Sequence, residues 1–176
     1  MSILLTSAAM LSQMNTALAD SQAVVFVGNN WDGTVNVFNS QNYSKVGVIN
    51  VVPDKQARMK EILLNPIKLV AFQAVRNLIG EGHDQLVDDM YSSNDGKLLI
   101  ASRPSFADVV AIDIATGKIV WRFVVDGYRS DHMALSPDGT KVAVSASTGN
   151  VVHILDINTG KQVGKFASGN SPHENV

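Results

Sequence analysis

The residues able to do chemistry in this chain are carboxylates, imidazoles and a few arginines, and they recur at a set interval. Asp88-Asp89 is followed 43 positions on by Asp131-His132, and a third such pair, His173-Glu174, stands near the end. Carboxylates and imidazoles gathered at matching places suit a divalent cation, Ca2+ among them, or a small polar ligand. The same side chains have a competing structural use, accepting backbone N–H groups in turns and between sheets. Two neighbouring stretches add arginine: Arg103-Pro104-Ser105-Phe106-Ala107-Asp108, and Asp126-Gly127-Tyr128-Arg129-Ser130-Asp131. Arg103 and Arg129 have the geometry to grip a carboxylate or phosphate with two parallel hydrogen bonds. Their commoner use is a salt bridge, here to Asp108, Asp88 or Asp131. His153 is expected to be a packed, hydrogen-bonded strand residue, and His83 has no place in the repeated pattern.

Other chemistry is excluded or unsupported. Ser and His are both present, but no spacing fixes a nucleophile and its base, and no glycine-rich loop cradles a phosphate. The 176 residues include no cysteine, so disulfides, Cys-ligated zinc, iron–sulfur clusters and thiol catalysis are ruled out. A net charge of −2, with Lys and Arg scattered, provides no footprint for nucleic acid.

The elements that must position these pairs come from a repeat. Asp95-Gly96 matches Asp138-Gly139, Ser102 matches Ser145, Asp113 matches Asp156, and Thr116-Gly117-Lys118 matches Thr159-Gly160-Lys161, all 43 residues apart. Phe123 and Phe166 close the series. One further period brings Glu174-Asn175-Val176 to where Asp131-His132-Met133 stood. Upstream, Gly33 to Ile49 follows the outline of Asn150 to Phe166 at an offset that exceeds two periods by 31 residues. That excess measures an insertion.

Each full unit resolves into four short strands. In the last one they span about 132–135, 141–146, 151–156 and 162–166, joined by Ser136-Pro137-Asp138-Gly139, Ser147-Thr148-Gly149 and Asn158-Thr159-Gly160. Pro presets φ and Gly accepts positive φ, so these joints are turns with a mechanism. Four antiparallel strands per forty-odd residues is the spacing of a β-propeller blade. The expected fold is therefore all-β, with about two complete blades of four antiparallel strands, partial ones, and a helical insertion. The expected divisions are 20–52 for a partial first blade, 53–85 for the insertion, 86–127 and 128–170 for two blades, and 171–176 for the start of another. A β-sandwich is the competing architecture, but it has no reason to keep an ungapped register.

The stretch SPDGTKVAVSASTGNVVHILDINTGKQVGKFASG resembles the YVTN-type, YncE-like β-propeller repeats of bacteria, and the resemblance covers residues 23–51 and 86–176. AIDIATGKIVW, residues 111–121, also resembles the tryptophan-docking motif of quinoprotein propellers, with Ala111, Asp113, Gly117, Lys118 and Trp121 in matching places. In the last blade Gly164 stands where that tryptophan would fall. The motif is a packing device between blades and does not by itself imply the quinone cofactor, PQQ. The resemblance implies a propeller of seven or eight blades, so this chain is expected to be a piece of one. It further implies that the paired residues lead the innermost strand of each blade, and so ring one end of the axial channel. Asp88, Asp89, Arg103, Asp108, Arg129, Asp131, His132, His173 and Glu174 are the candidate ligand-binding residues. Propeller lactonases hold a channel metal with Glu, Asn and Asp, and only Glu174 and Asn175 match that set in type.

Two segments fall outside the repeat. Met1 to Ala19 is small and apolar and ends Ala17-Leu18-Ala19, the form of a signal-peptidase site, although it lacks a positive leading region. Cleavage before Asp20 and a periplasmic or secreted location are expected, and no run long enough for a membrane span follows. In 53–85, Ile67, Val70, Ala71, Ala74 and Leu78 recur at helical spacing, with Val75 and Ile79 alongside, after a shorter helix from Lys55 to Leu64, with Gly80 as the stop. This stripe is expected to pack on the propeller rim, with a lid or partner-docking hairpin as the alternative. The functional expectation is a non-enzymatic module that binds a protein or a small polar ligand, with self-association through open blade faces as a further option. The alternative is part of a quinoprotein- or lactonase-like enzyme.

Overall fold

The computed structural model describes residues 23–176. The expected signal peptide at 1–19 lies outside the described residues. Strands β1 (Val24–Asn29), β2 (Thr34–Asn39) and β3 (Lys45–Asn50) form the first sheet. Strands β4 (Met90–Ser92), β5 (Leu98–Arg103), β6 (Asp108–Asp113) and β7 (Ile119–Val124) form the second. Strands β8 (Ser130–Leu135), β9 (Lys141–Ala146), β10 (Val151–Asp156) and β11 (Gln162–Ala167) form the third. Each sheet is an antiparallel meander in which sequence neighbours pair.

The repeat survives to the residue. Strands β5, β6 and β7 each recur 43 positions later as β9, β10 and β11, and β1, β2 and β3 recur 117 positions later as the same three. The first sheet therefore holds the second, third and fourth strands of a blade. All three sheets break register at one equivalent place, between Val37 and Phe38, Ala111 and Ile112, and Ile154 and Leu155. The following turn explains why. Asp113 and Asp156 accept hydrogen bonds from the backbone N–H of Thr116 and Thr159 at 2.7 and 2.9 Å, which winds the chain into a compact loop. The loop closes on a residue of positive φ: Gly117 at 67°, Gly160 at 65°, and in the first sheet the non-glycine Tyr43 at 58°.

Blades stack face against face. Leu99, Ala101, Val110 and Ile112 of the second sheet meet Val35 and Ile49 of the first. Their alternates, Ile100, Val109 and Ala111, meet Met133, Val142, Val144 and Leu155 of the third. Period-two side chains thus bury both faces of the middle sheet, and its strands read as nearly continuous apolar runs. Trp121 latches the second seam. Its indole N–H donates to the Ile157 carbonyl at 3.0 Å, and its ring lies so close to Gly160 that a Cβ there would sit 2.5 Å from Cδ2.

Helices α1 (Lys55–Leu63) and α2 (Pro66–Ala74) form the insertion, and a wider π turn over Val75–Ile79 ends at Gly80. Asn65 caps α2 by accepting from the N–H groups of Ile67 and Lys68 at 3.0 and 3.1 Å. The buried face differs from the expected stripe. Val75, one member of that stripe, is buried, but the other buried residues are Ile62 and Phe72, which pack with Val52, Leu86 and Phe106. Ile67, Val70 and Leu78 face outward, Leu78 at 84% exposure. Phe72 carries the largest apolar surface of α2, and spacing of aliphatic residues alone left it out of the stripe. Among the described residues, no single helix is long and apolar enough to cross a membrane.

Candidate functional site

Strand β8 is irregular at its start. Ser130 pairs with Ala146 and Met133 with Val144, so Asp131 and His132 together face the single residue Ser145. Such a bulge turns side chains out of the regular pleat, and bulges recur beside functional sites for that reason. The chain then returns after β11. Asn175 donates from its side chain to the His132 carbonyl and to the Ser145 hydroxyl, both at 3.0 Å, which lays the terminal segment across the third sheet. His173 is thereby held beside His132, with ring centroids 4.3 Å apart and planes inclined by 39°.

The result is a three-residue cluster of Asp131, His132 and His173, with Asp88 of the preceding unit beside His132. One ligating atom from each of Asp131, His132 and His173 lies within 4.8 Å of the others. His173 Nε2 is 3.7 Å from Asp131 Oδ1, and His132 Nε2 is 3.8 Å from Asp88 Oδ2. Asp131 is fully buried, whereas the side chains of His132 and His173 are 34% and 60% exposed. Asp88 Oδ2 is buried yet accepts no hydrogen bond. Arg129 borders the group, donating from Nη1 to Asp131 Oδ2 and, at 3.2 Å, to the Ser147 hydroxyl. Its Nε is buried without an acceptor, and burial depresses its pKa despite the opposing charge of Asp88. Burial, and after it the nearby carboxylates of Asp89 and Glu174, raises the pKa of Tyr91.

The remaining sequence candidates do not join the cluster. Asp89 spends its carboxylate on backbone N–H groups, Met90 at 2.8 Å and Met133 of the next sheet at 2.9 Å, so it ties two sheets together. Adjacent residues of an extended chain point to opposite sides, which sends Asp88 and Asp89 to different partners. Glu174 is exposed. Arg103 and Asp108, candidates for the channel lining, are both fully buried and paired with each other. Arg103 holds Asp108 through two bonds of 2.7 and 2.8 Å, Asp54 at 2.6 Å, and the Val51 carbonyl at 3.0 Å. Arg122 also donates to Asp108, and Arg58 binds Asp54 at 2.9 Å and Glu61 at 2.6 Å. Burial alone would lower the Arg103 pKa, but Asp108 and Asp54 more than reverse this. The network clamps the helical insertion to the second sheet.

Sequence reasoning missed Asp54, Arg58 and Arg122, for which no periodic signal exists. It also missed the hydroxyl chain from Ser102 to Ser130 to the Asp108 carbonyl, each link 3.0 Å, which runs between the two sheets. The matched Ser102 and Ser145 were its only trace. His153 has the packed role expected of it. Its Nε2 accepts from the Asp126 N–H at 3.1 Å, so Nδ1 carries the proton given to Gln162 at 2.7 Å. His83 stacks on Trp31 with centroids 3.8 Å apart.

Comparison with protein families and with curated proteins returns no match for this chain. Solved structures are similar to it in fold. Hydrazine synthase from Kuenenia stuttgartiensis superposes with a TM-score of 0.59 at 16% identity, over 86% of this chain and 34% of that one. The mitotic checkpoint complex gives 0.57 at 13% identity, over 86% and 37%. The WD40 repeats of RRP9 give 0.54 at 16% identity, over 83% and 35%. The sheets are propeller blades. This chain spans about a third of the length of the solved chains it matches.

Proposed function

We propose that this chain is a non-enzymatic binding module of a secreted or periplasmic, YVTN-type bacterial propeller, and that it takes a small polar ligand at the leading edge of its inner strands. The observation that carries this reading is the meeting of Asp131, His132 and His173 at one partly open place, with Asp88 3.8 Å from His132. A half-buried and an exposed imidazole beside the buried Asp131 and the partly buried Asp88 offer directional donors and acceptors without a nucleophile paired to a base. The fold does not choose between binding and catalysis, since similar structures include an enzyme and a checkpoint complex.

Titration of the uniformly 15N-labelled protein with a panel of dicarboxylates, amino acids and divalent cations tests the site. Amide shifts should concentrate at Asp88, Asp131, His132 and His173. A response confined to residues 55–79, or no response to any member, overturns the reading. For location, the full chain expressed in a bacterial host should yield a periplasmic product that begins at Asp20 by mass spectrometry. Retention of Met1 in the cytoplasmic fraction removes that part of the proposal.

A further inference from the structure

The chemical class of the ligand follows from the donors, resting on the binding reading just given. Four features of the cluster bear on it: its sign, its donor types, its spacing and an atom left without a partner. Asp88 and Asp131 contribute two carboxylates against the single guanidinium of Arg129, and Asp89 and Glu174 lie close enough to act on Tyr91. An anionic ligand would meet net repulsion there, and a cation net attraction. The imidazoles then decide among cations. Ca2+ and Mg2+ take six or more oxygens, whereas imidazole with carboxylate suits Zn2+, Mn2+, Fe2+ or Ni2+.

Spacing is compatible with this. Donors about 2.1 Å from a tetrahedral ion lie roughly 3.4 Å from one another. The atoms of Asp131, His132 and His173 lie within 4.8 Å, so closure needs movement of roughly an ångström. The two groups that must move are the half-buried His132 and the exposed His173, while Asp131 is fixed by burial. Asp88 Oδ2 supplies the independent sign of a missing partner, being buried, without a hydrogen bond, and 3.8 Å from His132 Nε2. Asp131 Oδ1 accepts the His132 N–H at 3.2 Å and, with its second lone pair, faces His173 Nε2 at 3.7 Å, while Oδ2 is occupied by Arg129. That arginine bond fixes the carboxylate in place, the usual support of a metal ligand by an outer hydrogen bond.

We infer that Asp88 Oδ2, Asp131 Oδ1, His132 Nε2 and His173 Nε2 form a binding site for one divalent transition-metal ion, Zn2+ or Mn2+ in type rather than Ca2+. The ion would bridge three successive units and pin the terminal segment against the third sheet.

Calorimetric titration of the full chain with ZnCl2, MnCl2 and CaCl2 separately, at pH 7.5 and 0.15 M salt, tests it. One Zn2+ or Mn2+ per chain is expected, with Ca2+ at least about tenfold weaker. His132→Ala and His173→Ala should each weaken binding about tenfold or more, and Asp88→Asn by a smaller factor. His83→Ala, at the distant Trp31 stack, should change nothing. Ca2+ binding as tightly as Zn2+, an unchanged affinity in the His132→Ala/His173→Ala protein, loss on His83→Ala, or no metal binding at all would each overturn the inference. Should dicarboxylates or amino acids shift the amides of this cluster while metals fail to bind, the cation fails and the binding module stands. Should neither do so, both fail.

Discussion

Two arginine–aspartate pairs in this molecule look alike in sequence and differ in use. Arg103 and Asp108 are enclosed, every donor of the guanidinium has an acceptor, and a second carboxylate, Asp54, completes the balance. Arg129 and Asp131 are also buried, but Arg129 Nε and the adjacent Asp88 Oδ2 have no partner. The pKa of Arg103 is raised, whereas burial lowers that of Arg129. A saturated ion network holds a fold together, since removing any member strands a charge. An unsaturated one beside partly exposed imidazoles keeps its capacity for something from outside. Arg58, at the edge of the clamp, also keeps Nε and Nη1 without a hydrogen-bond partner. The contrast in satisfaction therefore holds between the Arg103–Asp108 and Arg129–Asp131 pairs and not between whole networks.

The largest effect should come from breaking the saturated pair. Arg103→Met leaves buried Asp108 with Arg122 alone and Asp54 with Arg58 alone, and should cost about 3–5 kcal/mol in urea denaturation. A loss below about 1 kcal/mol would mean that the network is not the clamp described here.

An acid titration sharpens the same contrast. Burial alone would raise the Asp54 pKa, but the hydrogen bond and charge of Arg103, with Arg58, hold it below the ordinary 3.8. A depressed carboxylate contributes its full stability above about pH 4 and loses it as pH falls through the folded value. The turn carboxylates Asp113, Asp138 and Asp156 act in the same direction, lowered by Thr116, Ser136 and Thr159. The Tm should therefore fall as pH drops below about 4, and Asp54→Asn should flatten that slope. An equal slope in both proteins would contradict the assignment.

The smallest effect belongs to the unsaturated cluster. His132→Ala and His173→Ala remove partly exposed rings and should alter stability by no more than about 0.5 kcal/mol without ligand. Asp88→Asn should be neutral or slightly stabilising, because it discharges a carboxylate oxygen that nothing satisfies. Destabilisation by more than about 1 kcal/mol would return this cluster to the structural class.

Most of the blade architecture was legible because its signals are local. A turn such as Asp156-Ile157-Asn158-Thr159-Gly160 closes on its own hydrogen bonds, and alternation within six residues fixes a strand. The same locality gave the leading pairs at 88–89 and 131–132, though not which member of a pair would face a ligand. That choice depends on the bulge at Asp131-His132 and on Met133 N–H taking Asp89. The Arg103–Asp54 contact spans 49 residues and an insertion of its own length scale, so no spacing announces it. The insertion's buried face was misjudged for a related reason. Burial of Phe72 is set by Phe106 and Leu86, which arrive from outside the helix.

The central claim is that histidines of successive units, distant along the chain, stand ring against ring in the metal-free protein. A two-dimensional nuclear Overhauser spectrum of His-selectively labelled full chain measures this directly. A strong cross-peak between the ring protons of His132 and His173 is expected from centroids 4.3 Å apart. A spectrum with assigned ring protons of both residues and no cross-peak between them would contradict the account.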